Sequence, residues 1–182
     1  MIPSDHFVRF YNEVFKFLDA RNGLEDYYLE ISRHQEHHCL KHFMEKGLQG
    51  MEEYWGQIRV EENCIMSSEV VGDVRYSHMK KCPSLSKVLD NDAEPCEKYC
   101  LHCPGWVAPL MTKCGFYYIK YLRALDVPEC GSVFSDNLEK ISAIRQNLKR
   151  DGFKYIFDNF DQREEVEVNK QERLKVSRGL KI

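Results

Sequence analysis

With 182 residues, 43% of them apolar and 30% charged, the chain has the length and balance of a globular domain that buries a core without cross-links. A net charge of −3 with no basic block excludes a nucleic-acid footprint, and no apolar run reaches the roughly 20 residues that a membrane helix needs. The start, MIPSDHFVRFYNEVF, lacks the basic-then-apolar order of a secretory leader, so a cytosolic setting is expected; there the eight cysteines stay reduced and serve metal or thiol chemistry rather than a disulfide framework.

Ser4 is placed to cap a first helix in which Phe7, Phe10, Tyr11, Val14, Phe17 and Leu18 keep helical spacing, and Asn22-Gly23 ends it. A second helix is expected from about Leu24 to Lys46, stopped by Gly47, after which LQGMEEYWGQ turns the chain toward a sheet. Between Gln57 and Lys81 two strands are expected, IRVEENCIMS and VVGDVRYSHMKK. The Pro- and Cys-rich stretch from Cys82 to Trp106 reads as a short helix followed by a structured loop. WVAPLMTKCGFYYIKYLRALDVPECG carries helical spacing, interrupted near Pro109 and Gly115. Ser135 or Asp136 starts a further helix that closes at Gly152, and FKYIFDNF reads as a last strand. The expected fold is α+β: N-terminal helices packed on a small antiparallel sheet, a cysteine-rich loop, then C-terminal helices, with residues 1–162 forming one globular domain and 163–182 a polar tail, frayed or loosely helical.

The densest chemistry lies in CEKYCLHC, residues 96–103. Thiolates bind soft or borderline cations, and two or three intervening residues let one loop aim successive sulfurs at a common centre. Cys96, Cys100 and Cys103 therefore form a candidate three-ligand half-site for zinc or an iron–sulfur cluster, with a fourth ligand from Cys82, Cys114, Cys130, His102 or His78. The second C-x2-C pair of a zinc ribbon is missing, Pro104 stands where covalent haem attachment needs histidine, and the chain is too short for the barrel that carries C-x3-C-x2-C in radical S-adenosylmethionine enzymes. Plain packing of three cysteines as small apolar groups is the competing account.

RHQEHHCLKHF places His34, His37, His38 and His42 within nine residues. On a helix whose apolar face centres on Tyr28, Ile31, Cys39 and Phe43, His34 and His37 fall outside that face, while His42 lies at its edge and His38 slightly beyond it, so His42, and next His38, are the candidates to meet an interior pocket beside Cys39. The Glu of the metalloprotease H-E-x-x-H pattern is absent. Were His42 to converge with a loop cysteine, the pair would suit nucleophilic catalysis, with imidazole lowering the thiol pKa.

MKKCPSLSKVL, YCLHCPGW and LDVPECGSVFSDNLEKI resemble segments of the L-2-amino-thiazoline-4-carboxylic acid hydrolase-like family of small bacterial proteins, with the Cys-Pro pair on Cys82 and Pro83 and the later Pro-x-Cys on Pro128 and Cys130 ahead of Asp136. The resemblance covers about the middle third of the chain, and FKYIFDNF offers no cysteine where the family pattern has one. It implies hydrolytic opening of a small sulfur-containing heterocycle at the C–N bond of a cyclic amidine. The expected parts are Cys103 and Cys130, with Cys100, as thiolates, and His42, with His78 or His102, as base. Asp136 would orient a histidine or cap a helix, and Arg75 or Arg123 would meet the substrate carboxylate. The expected partner is thus a small molecule.

Overall fold

The structure, a computed structural model, describes residues 3–90 and 94–179, with side chains from residue 6 onward. Six helices surround a five-stranded antiparallel sheet, so the fold is α+β with helices at both ends of the chain. Helix α1 (Pro3–Asp19) ends before Asn22, which takes a positive φ of 55°, and Gly23; the side chain of Ser4, the expected cap, lies outside the described residues. Helix α2 (Leu24–Glu61) has two arms: Gly47, at φ 58° and ψ −135°, leaves helical geometry and ends the first arm where the sequence predicts, and a second arm runs on to Glu61. The residues Ile58–Glu61, expected to open a strand, complete that second arm.

Strands β1 (Ile65–Val71) and β2 (Val74–Lys81) form a hairpin whose turn is Gly72-Asp73, with Gly72 at φ 61°. Helix α3 (Pro83–Asp90) follows, then a loop, a 3₁₀ turn over Tyr99–Leu101 and helix α4 (His102–Lys113). The next stretch corrects the helical reading of the sequence: β3 (Tyr117–Leu122) and β4 (Cys130–Ser135) are strands in the middle of the sheet, whose order is β1-β2-β4-β3-β5. Helix α5 (Leu138–Arg150) is capped by Asn137, whose side chain accepts from the Lys140 N–H, one residue later than expected; β5 (Tyr155–Asp158) and α6 (Arg163–Ser177) complete the chain.

Alternation along the strands gives the sheet two faces. On one, Tyr118 and Phe134 pack under Cys39, Phe43 and Met51 of α2 and Leu110 and Met111 of α4. On the other, Val74, Tyr117, Ile119 and Val133 meet Ile141 and Leu148 of α5 and Val166 of α6. A third cluster, around Phe15, Tyr28, Leu85, Val88 and Tyr99, joins α1, α3 and the 3₁₀ turn, and so supports the base of α4. Residues 163–177, read from the sequence as a polar tail, frayed or loosely helical, form helix α6 and are anchored by Arg173, whose Nε donates to the Cys114 carbonyl (3.0 Å) and whose Nη2 meets Asp136 (2.7 Å).

Candidate functional site

Register decides which side chains of the sheet meet. Arg75 pairs with Phe134, Ser77 with Ser132 and Met79 with Cys130 across β2 and β4, while Tyr118 pairs with Phe134 and Lys120 with Ser132 across β3 and β4. All of these point to the α2/α4 side of the sheet. There, together with Trp55 of α2, Met66 of β1 and Cys103 of α4, they line a cavity of about 160 Å³. A single water needs roughly 10–15 Å³ on this measure, so the space admits a small organic molecule. Its walls are apolar (Trp55, Met66, Met79, Phe134), and its polar groups are few and convergent, as in ligand sites generally.

Cys103 enters the cavity from the first turn of α4. The preceding 3₁₀ turn fixes its neighbour: His102 Nδ1–H donates to the Tyr99 carbonyl, which leaves Nε2 facing the Cys103 sulfur at 3.3 Å. The imidazole ring is held among Phe15, Tyr99 and Trp106, with ring centroids 5.8, 5.3 and 4.8 Å away. Burial alone would push the Cys103 thiol up, but His102 and the Lys120 ammonium outweigh it and bring it down to about 6. For His102, burial opposes the charge, yet the adjacent thiolate and the Tyr99 carbonyl raise its pKa. Cys103 thus presents to the cavity a sulfur drawn toward the thiolate, with His102 beside it.

The remaining cysteines do not share this setting. Burial raises the thiols of Cys64, Cys96 and Cys114, and raises Cys39 and Cys82 to about 11 and Cys100 to about 12. Cys130 is also raised by burial, although it accepts a 2.9 Å hydrogen bond from Lys120 Nζ. Of eight cysteines, Cys103 alone is pulled toward the thiolate.

Opposite this couple lies Arg75, only 1% exposed, flanked by the rings of Trp55 and Phe134 at 5.1 and 5.3 Å. Its Nε donates to Glu52 at 2.9 Å, and Glu52 also accepts from Ser68. Its Nη2 is buried without a hydrogen-bond partner. An unsatisfied buried donor costs about 1–3 kcal/mol, more when charged, so this guanidinium is held at a cost to stability.

The cysteine loop is gathered differently from the metal site its spacing suggests. Cys82, Cys100, Cys103 and Cys130 surround a second, smaller cavity of about 20 Å³ behind His102 and Lys120, but Cys96 is buried in the α1–α3 cluster, where its N–H donates to Asn12 Oδ1 at 2.8 Å. The Cys100 thiol donates to the Leu125 carbonyl (3.4 Å), and Cys82 accepts from the Leu85 N–H (3.5 Å). Among the described residues, no group of three or more His, Cys, Asp or Glu side chains is placed to hold a metal ion. Of the ligand set Cys82, Cys96, Cys100, Cys103 and His102, all but Cys96 line the small cavity, and Cys82 and Cys100 also pack against the cluster that buries Cys96.

His42 is not at the site: it bonds Glu53 across the Gly47 bend at 3.0 Å, and the Cys39 beside it belongs to the core. His34, His37 and His38 are exposed on α2. Asp136 accepts from Arg173 just past the far end of β4, about 20 Å along the strand from Cys130 at 3.3 Å per residue. His78 pairs with Glu129 at 2.8 Å on the opposite face of the sheet, and Arg123 lies at the surface over Phe153. The residue that sequence reasoning missed is Lys120, and its signal was a lone charge inside the apolar run GFYYIKYL. The chain matches no protein-family model, no curated protein and no solved structure, so the site is read from its geometry.

Proposed function

We propose that this cavity is the active site of a cysteine-dependent hydrolase whose substrate is a small carboxylate-bearing molecule, a sulfur-containing heterocycle opened at its amidine C–N bond. The observation that carries the reading is Cys103, its sulfur 3.3 Å from His102 Nε2, lining the same cavity as the buried Arg75. Nucleophilic catalysis needs a thiolate at neutral pH, and substrate positioning needs a fixed cation at a distance from it. Arg75 supplies a charge-assisted hydrogen bond to a carboxylate, Trp55 and Phe134 supply apolar walls for a flat ring, and Cys103 supplies the attacking sulfur. The ring chemistry comes from the sequence resemblance; the thiolate and the cation come from the site itself.

The test is turnover of 2-amino-thiazoline-4-carboxylate by the wild-type protein, Cys103→Ala and Arg75→Met. The expected result is ring opening by the wild type, loss of about 10³-fold or more in Cys103→Ala, and a raised KM in Arg75→Met. Unchanged turnover in Cys103→Ala would overturn the reading. No turnover by wild type, combined with alkylation of Cys103 no faster than that of an ordinary thiol, would also do so.

A further inference from the structure

Lys120 occupies an unusual position. Its side chain is 8% exposed, in a central strand, and no carboxylate among the described residues lies within ion-pair distance of its ammonium. A buried charge without a counter-charge costs several kcal/mol and normally loses its proton instead. The groups around it are Cys103 and His102 from α4, Cys130 from β4 and Tyr118 from its own strand; Glu129, next to Cys130, turns its carboxylate to His78. Of these, Cys103, then Cys130, hold the ammonium charged against its burial: Lys120 Nζ donates to the Cys130 sulfur at 2.9 Å, and Cys103, the thiol drawn toward ionisation, lines the same two cavities as Lys120. The two ionisations sustain each other. If the sulfur is consumed in a covalent bond, Lys120 loses its counter-charge.

We propose that Lys120 is the catalytic acid of the Cys103 reaction, releasing its proton when the sulfur bonds to substrate and recovering it from the water that cleaves the adduct. The proposal rests on the reading of Cys103 as nucleophile. In the first half-reaction the Cys103 sulfur forms a bond to the amidine carbon and the C=N electron pair moves to the ring nitrogen. That nitrogen leaves as a neutral amine only after gaining two protons, and two cationic acids flank the sulfur: His102 Nε2–H gives one and Lys120 gives the other. The C–N bond breaks, leaving a cationic S-linked adduct with neutral imidazole and neutral amine beside it, so net charge is conserved. In the second half-reaction water adds to the same carbon and Lys120 takes one of its protons. The carbon–sulfur bond then breaks, the hydroxyl proton passes to His102, and the carbamoyl product departs from a regenerated thiolate. Lys120 lines both the large cavity and the small one, as Cys103 does, so it borders the space in which an adduct on that sulfur would form.

The decisive experiment follows the titration of Lys120 in the whole protein by NMR of lysine ¹³Cε, with the resonance assigned by its loss in Lys120→Arg. Titrations from about pH 6 to 11 are run on the free protein, on protein alkylated at Cys103 by iodoacetamide at about pH 7 and verified by mass spectrometry, and on Cys103→Ala. The expected result is a Lys120 resonance that stays ammonium-like to the alkaline end in the free protein and titrates at least about one pH unit lower in both the alkylated protein and Cys103→Ala. In turnover, Lys120→Arg retains the alkylation of Cys103 at neutral pH but loses kcat, because a guanidinium holds the charge and gives up no proton. A Lys120 titration that is the same in all three states overturns the proposal and leaves the nucleophile standing. Failure of iodoacetamide to reach Cys103 at neutral pH removes the nucleophile first, and the proposal with it.

Discussion

The Cys103–His102–Lys120 arrangement predicts a specific pH profile for alkylation, and the magnitude shows where to measure it. A thiol titrating near 6 is about 90% ionised at pH 7, whereas an ordinary cysteine near 8.5 is about 3% ionised, a ratio of about 30. Rate does not follow ionisation alone, because a less basic thiolate is a weaker nucleophile. With a Brønsted slope of about 0.4–0.5, the 2.5-unit difference costs roughly tenfold, and the net advantage at pH 7 shrinks to a few-fold. At pH 5.5 the ionised fractions are about 24% and about 0.1%, so a net advantage of about twentyfold survives. Site-resolved iodoacetamide labelling should therefore give Cys103 a midpoint near 6 and a plateau above pH 7, while Cys64 keeps rising through pH 8. His102→Ala should move the Cys103 midpoint upward by about one unit or more, since it removes the charge 3.3 Å from the sulfur. A Cys103 rate that still climbs tenfold per unit between about pH 7 and 8 would refute the electrostatic argument, whatever the absolute rate.

The same ionisation enters stability. A thiol depressed to about 6 contributes stability that is fully present above its unfolded pKa of about 8.5 and is lost as pH falls through 6, so the Tm gap between wild type and Cys103→Ala should narrow from about pH 9 to pH 5. Arg75→Met should weaken binding of a small carboxylate by about tenfold to a hundredfold, read by calorimetry, while binding of its neutral amide hardly changes; equal losses for both would deny Arg75 its role. Gly115→Ala should destabilise by about 2 kcal/mol or more in urea melts, since φ is +67° and the new Cβ would fall 2.2 Å from the Lys170 backbone nitrogen. Cys96→Ser, by contrast, should leave the Cys103 alkylation profile unmoved, because that thiol sits in a separate cluster; a shifted midpoint would show that the two are linked.

The parts of the fold that were legible in the sequence are those where one signal dominates. Helices α1 and α5 carry apolar residues at helical spacing between clear stops, and β5 is a short aromatic run after Gly152. The errors fall where two signals conflict. GFYYIKYL is apolar on both faces because β3 lies at the centre of the sheet with helices on either side, so the period-2 alternation that marks a half-buried strand is absent. Gly47 does end the first arm of α2; what the sequence does not show is the helical arm that follows over LQGMEEYWGQ, which is packed through Met51 into the core. Residues 163–177 are polar enough to read as a tail, yet Val166 and Arg173 suffice to dock them.

The candidate site was half legible, for a reason that bears on its chemistry. Spacing within CEKYCLHC shows that thiols are close in sequence, but the structure sorts them by direction: α4 turns Cys103 toward the sheet while Cys96 stays under α1. Sequence proximity therefore points to this loop but carries no direction, and it groups thiols that the structure orients differently. His102, the larger influence on Cys103, is its neighbour in sequence, but the second, Lys120, comes from a strand 17 residues further on, and only β-sheet register brings it to the same face as Cys130 and Arg75. A lone lysine in an otherwise apolar strand is expensive to bury, and β3 keeps it at a central position where Leu or Val would pack at no electrostatic cost. What offsets that cost is an anion, and the acid beside it that is pulled toward ionisation is a thiol. The buried ammonium and the thiolate thus each explain the other's presence, which neither the cysteine spacing nor the histidine-rich helix does.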